Sequence, residues 1–360
     1  MKTTVCLNMI VKNESAVIRR CLNSALPYIT TWCIVDTGST DSTQQIIRDF
    51  FADAALPGEL HERPWKDFGT NRTEAIELAK DKAEYLLIID ADEVFEAQSG
   101  FTFPELTMGA YQLKTILGNI EYYRTQMVRS DLPFRYIGVL HEYLDCPTPF
   151  TQGRIDGLID RPTPDGARSK DPKKFHNDAM VLKTALKKEP TNARYAFYLA
   201  QSYRDANEPE PAIIFYDKRA EMGGWSEEVY VSRLEAAKLR ERVGKSEENV
   251  TAAYLAAYNT RPVRAEALCE LARYLRLKGK FALAYLFAKE AMSIPVPNDV
   301  LFMEPGVYSW RAKDECSISA FWIGKHEENI RLTTELLADG KLPACEVERV
   351  VRNREFSLHK

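Results

Sequence analysis

The sequence predicts an α/β domain with a mostly parallel, doubly wound sheet, followed by an all-α domain of stacked helical repeats. Three observations carry this expectation. Leu86-Leu87-Ile88-Ile89 is a continuous apolar run that ends in Asp90-Ala91-Asp92-Glu93, and such a run suits an inner strand covered on both faces. Strand-like and helix-like stretches alternate ahead of it, as they do in doubly wound sheets. In the second half, a pattern of small and aromatic residues recurs at a fixed interval.

Residues 4–11 read as a first buried strand, broken by Lys12-Asn13-Glu14-Ser15. Asn13 is placed to cap a helix that carries Val17, Cys21 and Leu22 at helical spacing. Trp32-Cys33-Ile34-Val35 is a second strand, running into Asp36-Thr37-Gly38-Ser39-Thr40-Asp41. Gly38 permits a tight turn, and the small residues around it are expected to leave backbone N–H groups open to a ligand. Ile46, Ile47, Phe50 and Phe51 mark a second helix, and residues 71–82 a third that leads into the strand at 86–89. Residues 101–104, 111–117 and 134–142 supply further strand material, with a less regular stretch at 122–129.

Three of these strand ends carry acid-containing turns, and right-handed crossovers place them on one edge of the sheet. Parallel sheets bind ligands at that edge. The carboxylates of Asp90 and Asp92 therefore sit where hard oxygen ligands would suit Mg²⁺ or Mn²⁺ shared with substrate phosphates.

The composition excludes several classes. With 360 residues, 45% hydrophobic and 28% charged, the chain reads as an ordinary globular protein long enough for two domains. A formal charge of −4 gives no global attraction to nucleic acid or anionic membrane, although a local basic patch stays open. The seven cysteines are scattered and form no Cys-x-x-Cys pair, which argues against a disulfide framework or a zinc site. Asn8 interrupts the short apolar stretch at the N-terminus, so it does not read as a signal peptide. No window approaches the ~18 to 20 apolar residues of a membrane helix. A cytoplasmic location is expected.

Met9-Ile10-Val11-Lys12-Asn13-Glu14, the Asp36 to Thr43 turn, Trp65-Lys66-Asp67-Phe68-Gly69-Thr70-Asn71-Arg72 and Asp90-Ala91-Asp92-Glu93 together resemble the GT-A glycosyltransferases of family 2. The resemblance covers roughly the first 150 residues and implies a Rossmann-like GT-A domain. It also implies inverting sugar transfer from a nucleotide-sugar, usually a UDP-sugar, with a divalent metal. By that resemblance Val11 and Glu14 line the nucleotide pocket and Asp36 accepts from the base, and Gly38 in the adjoining turn is expected to join them in binding the nucleotide. Arg72 lies near the nucleotide, Asp90 faces the ribose and Asp92 holds the metal. His141-Glu142 resembles the family's late acidic motif, with Glu142 as catalytic base and His141 as a metal or phosphate contact. Glu93 and Asp145 compete with Glu142 for the role of base.

Prolines and glycines interrupt residues 151–174, which read as a linker or as a lid over the diphosphate. Residues 175–360 read as tetratricopeptide-like. Leu199 and Leu271, like Pro190 and Pro262, stand 72 positions apart, close to two periods of ~34 residues. Such helix pairs bury their apolar faces by stacking and make a concave surface. Trp225, Tyr230, Tyr308 and Trp310 fall at or near inter-helix turns, where aromatic faces beside carboxylates would suit an acceptor. That acceptor, held by the helical domain, is expected to be a protein or peptide, a glycan, or a modified nucleic-acid base. Two rival expectations are a repeat scaffold whose nucleotide-binding domain is inactive, and nucleotidyl transfer to a sugar phosphate. The second lacks a glycine-rich basic loop after the first strand.

Overall fold

The computed structural model describes residues 3–118 and 120–360. The chain forms two compact units, Met1–Leu182 and Lys183–Lys360. In the first, the elements run β1 (Val5–Val11), α1 (Ile18–Ala25), β2 (Thr31–Asp36), α2 (Thr43–Asp53), β3 (Gly58–Glu62), α3 (Phe68–Ala79) and β4 (Tyr85–Ile88). They continue with β5 (Glu93–Ala97), β6 (Ala110–Leu117), β7 (Ile120–Arg129), β8 (Arg135–Ile137), β9 (Tyr143–Asp145) and β10 (Gln152–Pro162), and α4 (Lys174–Lys188) carries the chain past Leu182 into the second unit.

One eight-stranded sheet has the order β3-β2-β1-β4-β7-β6-β10-β5, and β8 pairs with β9 in a separate ribbon. The block β3-β2-β1-β4 is parallel throughout, as is β6 with β10. The other three pairings are antiparallel. Alternate residues of β1 explain the double burial. Leu7, Met9 and Val11 join α1 and α2 residues in one core, while Cys6 joins Leu86, Ile88 and the α3 residues Ile76 and Ala79 in the other. Asn8, the one polar residue of β1, is satisfied inside the fold by donating to the carbonyls of Cys33 and Ala75.

Two expectations are corrected here. Residues 152–162 are not linker: they form β10, an interior strand hydrogen-bonded to β6 and β5. Its glycines hid it from the sequence pattern: Gly157 adopts φ +87° near a register shift, and Gly153 lies against the Tyr111 ring. Residues 101–104 form no strand; Phe101 and Phe103 instead pack edge-to-face on Tyr28 and on each other.

The second unit is helical: α5 (Ala193–Asp205), α6 (Pro209–Glu221), α7 (Ser226–Arg242), α8 (Glu247–Thr260), α9 (Glu266–Leu277), α10 (Phe281–Ser293), α11 (Ala312–Trp322), α12 (His326–Ala338) and α13 (Ala344–Leu358). Each helix packs on the next, and fully buried alanines at Ala200, Ala212, Ala272, Ala284 and Ala288 allow the close approach. Both copies of the repeat pattern fall on helix pairs, α5–α6 and α9–α10, with the divergent pair α7–α8 between them. Among the described residues no helix is long and apolar enough to cross a membrane.

Candidate active site

A cavity of about 740 Å³ opens at the edge where β1 and β4 end. Its lining includes Val11, Glu14, Arg72, Asp90, Asp92, His141 and Glu142, so seven of the sequence-designated residues meet there.

The turns after β1 and β2 are stitched together by side chains. Asn13 adopts φ +57° and its Oδ1 accepts the Thr40 N–H at 2.7 Å, so it does not cap α1, which begins after Val17. The N–H groups of Asn13, Glu14 and Ser15 donate to Ser39, Thr43 and Asp41 side chains. Asp36 is buried, and its Oδ1 accepts from the Gly38 and Ser39 N–H groups at 2.9 and 2.8 Å. These donors are therefore consumed within the turn rather than offered to a ligand, which corrects that expectation. Gly38, at φ +107°, shapes the turn, and neither it nor Asp36 lines the cavity. The Asp36 Oδ2 atom is buried without a protein partner.

The segment 65–72 becomes intelligible residue by residue. Asp67 caps α3, its carboxylate accepting from the Thr70 N–H at 2.7 Å. Asn71 ties the preceding loop, accepting from the Lys66 N–H and donating to the Pro64 carbonyl. Gly69 lies against the Gly138 backbone, where a Cβ would stand 2.1 Å from the carbonyl oxygen. Thr73 Oγ1 accepts the Tyr136 N–H at 2.9 Å, and the Phe68 N–H donates to the Val139 carbonyl. Helix α3 is thereby fixed to β8 and to the chain that leads into His141 and Glu142.

The four cavity carboxylates that the sequence designated, Glu14, Asp90, Asp92 and Glu142, have different surroundings. Arg72 Nη2 donates to Asp90 Oδ1 at 2.6 Å, and its Nε lies 2.8 Å from Glu142 Oε1. Burial works against an Asp90 charge, yet the Arg72 and Arg124 guanidiniums hold its carboxyl below the usual range. Burial, then the neighbouring Asp90 charge, raises Asp92. Burial also pushes Glu14 up to about 6, with the charges of Asp92, Asp41 and Asp90 adding to the effect and the Ala167 N–H opposing it. Glu14 and Asp92 thus face the cavity as carboxylates whose charged forms burial disfavours.

The two competitors for the base lie elsewhere. Glu93 is buried, accepting from the Asp90 N–H and from Arg124, and closes the Asp90-to-Glu93 turn. Asp145 pairs with Arg135 on the β8–β9 ribbon. Neither lines the cavity.

Residues that the sequence pattern did not single out as site residues complete the wall. Lys12, Trp65, Lys66, Phe68, Gly166 and Arg168 all line it. The segment after β10 crosses the acidic residues. Thr163 donates to the Asp92 carbonyl, Gly166 fits against the Asp92 carboxylate, and the Ala167 N–H reaches Glu14 at 3.2 Å. Arg168 sits 4.8 Å over the Phe68 ring and pairs with Asp178. The cluster of basic residues in 168–174 was the available signal.

Residues 6–99 match the family model described as Glycosyl transferase family 2. The N-terminal region is of the family 2 glycosyltransferase type. That match takes in β1 through β5 with Glu14, Asp36, Arg72, Asp90 and Asp92, and stops before His141 and Glu142. The chain is 35% identical over 97 residues to the SPbeta prophage-derived glycosyltransferase SunS of Bacillus subtilis, which is 27% of this chain and 22% of SunS. It is 32% identical over 149 residues to a TPR repeat-containing protein of Synechococcus elongatus, 39% of this chain and 35% of that protein. The alignments thus span about a third or less of the relatives' length. Among solved structures, MamA covers 52% of the chain with 92% of its own, at 16% identity and a TM-score of 0.37. The TPR protein YrrB covers 50% with 84% of its own, at 14% identity and a TM-score of 0.40.

The acceptor-side expectations divide. Tyr230 is fully buried, and its hydroxyl donates to Glu266 Oε2 and accepts the Ala267 N–H. The Tyr308 hydroxyl likewise binds Glu266, at 2.9 Å. Both hold the fold together: Tyr230 offers no surface, and the Tyr308 hydroxyl is engaged internally. The sequence pattern gave each an aromatic near a turn but not the buried Glu266 that claims them. Trp225 is 50% exposed at the start of α7. Trp310 lines a hollow of about 270 Å³ with Arg273, Arg276, Arg311 and Arg349.

Proposed function

We propose that this chain transfers one sugar from a UDP-sugar to an acceptor hydroxyl with inversion at the anomeric carbon. The single observation that supports it best is the assembly of Glu14, Asp90, Asp92 and Glu142 in one cavity at the C-terminal edge of the parallel strands. The family 2 match of residues 6–99 supports the reaction class.

A divalent cation, Mn²⁺ or Mg²⁺, fits the donor set. Among the described residues no three His, Cys, Asp or Glu side chains are gathered to hold an ion alone. Mg²⁺ sites of this class need only one or two carboxylates, since substrate phosphates and water complete the shell. Burial, with the neighbouring carboxylate charges adding to it, raises Asp92 and Glu14, and a bound cation would favour their charged forms. Asp92, with His141 lining the same cavity, would hold the ion. When bound, it would neutralise charge on the leaving diphosphate.

The protein's own part is positioning and proton transfer. Val11 and Glu14 border the nucleotide's place, and Asp90 faces the ribose. Lys12 and Arg168 add positive charge to the same wall. Glu142 takes the proton of the acceptor hydroxyl as its oxygen bonds to the anomeric carbon and the bond to the diphosphate breaks. The helical unit selects the acceptor, with Trp225 and Trp310 as its contacts. The rival, a scaffold with an inactive nucleotide-binding domain, is disfavoured by the complete set of carboxylates.

The test is release of UDP from UDP-glucose, UDP-galactose and UDP-N-acetylglucosamine with and without Mn²⁺. Metal-dependent release that disappears in Asp92→Asn supports the proposal; equal release without metal or in the variant contradicts it.

A further inference from the structure

We propose that Arg72 is a positioning residue that locks Glu142 and Asp90 at a fixed separation, and not a nucleotide contact. The inference rests on the reading of Glu142 as the base. The resemblance placed Arg72 near the nucleotide, but the structure commits its guanidinium elsewhere. Nη2 donates to Asp90 Oδ1 at 2.6 Å, and Nε lies 2.8 Å from Glu142 Oε1 as an ion pair outside hydrogen-bond geometry. Its face lies 5.6 Å from the centre of the Tyr136 ring. The side chain is only 13% exposed, as is that of Glu142, so the pair is set into the wall and does not reach across the cavity.

The backbone supports make this a clamp. Arg72 projects from the helix that Gly69 presses onto Gly138, and Thr73 grips Tyr136 through its hydroxyl. The same short stretch leads through Val139 to His141, whose φ of +52° turns the chain into Glu142. Asp90 arrives independently, from the end of β4. The three groups thus come from three separate segments, and the guanidinium is what spans them.

A guanidinium can donate to one carboxylate while its delocalised charge holds a second beside it, whereas an ammonium acts as a point charge. Catalytic groups need placement to within fractions of an ångström, and small misplacements lower turnover far more than binding. Removing Arg72 would also leave Glu142 without its ion-pair partner and Asp90 with only the Arg124 and Arg168 charges, so both would be released to shift.

The experiment uses full-length chain with Arg72→Lys, Arg72→Met, Glu142→Gln and the Arg72→Met/Glu142→Gln pair. UDP affinity is measured by calorimetry in Mn²⁺, turnover as UDP release from the three UDP-sugars, and side-chain placement from crystal structures. The clamp predicts a UDP Kd within about 3-fold of wild type in Arg72→Met. It predicts turnover lowered by about 10²-fold with little change in donor KM, and an intermediate loss in Arg72→Lys. In the Glu142→Gln background, Arg72→Met adds less than about 3-fold, because the group it positions is already gone. A tenfold weaker UDP Kd in both Arg72 variants, or fully multiplicative losses in the pair, overturns it. If wild type neither binds UDP nor releases it, the functional reading fails separately. The crystal structure still decides the clamp: Glu142 and Asp90 unmoved in Arg72→Met would refute it.

Discussion

Gly69→Ala gives the sharpest stability test, because two physical effects oppose each other in sign. Alanine inside a helix normally stabilises relative to glycine by roughly 0.5 to 1 kcal/mol. Gly69 lies in the first turn of α3, where a Cβ would stand 2.1 Å from the Gly138 carbonyl oxygen. Ordinary C···O approach is about 3.3 Å or more, so the two backbones must part by about 1 Å. The atom in the way is backbone, and Gly138 itself holds φ +109°, so no side chain can swing aside to make room. Overpacking of this kind costs about 1 to 3 kcal/mol, and the upper part of that range applies here. Set against the helix gain, a net loss of about 2 kcal/mol is expected, or a Tm lower by about 4 to 8 °C for a unit of this size. Scanning calorimetry reads it directly. The displacement also pulls β8 away from α3, so UDP release should fall in step. A Tm equal to or above wild type would falsify the close-approach account.

The remaining predictions concern charge and burial. Glu14 is pushed up to about 6 against an ordinary 4.5, so the folded state holds its proton more tightly between those values. Stability therefore falls as pH rises through that window and stays lower above it. Glu14→Gln should raise stability at pH 7.5 by about 1 kcal/mol, after discount for solvent, and leave it unchanged at pH 4.5; equal or lower Tm at pH 7.5 would sink this reading. In the helical unit, Tyr230→Phe should cost about 1 to 3 kcal/mol by stripping a partner from buried Glu266 and from the Ala267 N–H. Exposed Trp225→Ala should change stability by less than about 0.5 kcal/mol, and calorimetry showing the reverse order would contradict the assignment.

Sequence patterning reached β1, β2 and β4 because they are continuous apolar runs leading into acid-containing turns, but not β3, whose Gly58-Glu59-Leu60-His61-Glu62 is no apolar run. Val5–Val11 and Tyr85–Ile88 needed only burial on two faces to be recognised. The helical repeats were equally legible, since small residues at packing positions leave a periodic mark. Strand β10 was not, because Gly153 and Gly157 serve a close approach and a bulge that look like linker composition. Among site residues, a single strand end located Asp90 and Asp92, and resemblance located Glu142. The partner choices of Asp36, Arg72, Tyr230 and Tyr308 were hidden, because each depends on a residue distant in sequence or on a turn geometry. Chemistry-bearing residue types identify a site; which of them face the ligand is decided by tertiary hydrogen bonds.

The central claim is that Glu142 takes a proton in sugar transfer within the acidic cavity. Glu142→Gln keeps the shape of the side chain but cannot accept that proton. The decisive measurement compares wild type and Glu142→Gln for UDP affinity and for the rate of UDP release from UDP-sugars in Mn²⁺. The account predicts unchanged affinity and a rate lower by about 10² to 10⁴-fold. A variant that binds UDP normally and turns over near the wild-type rate would contradict it.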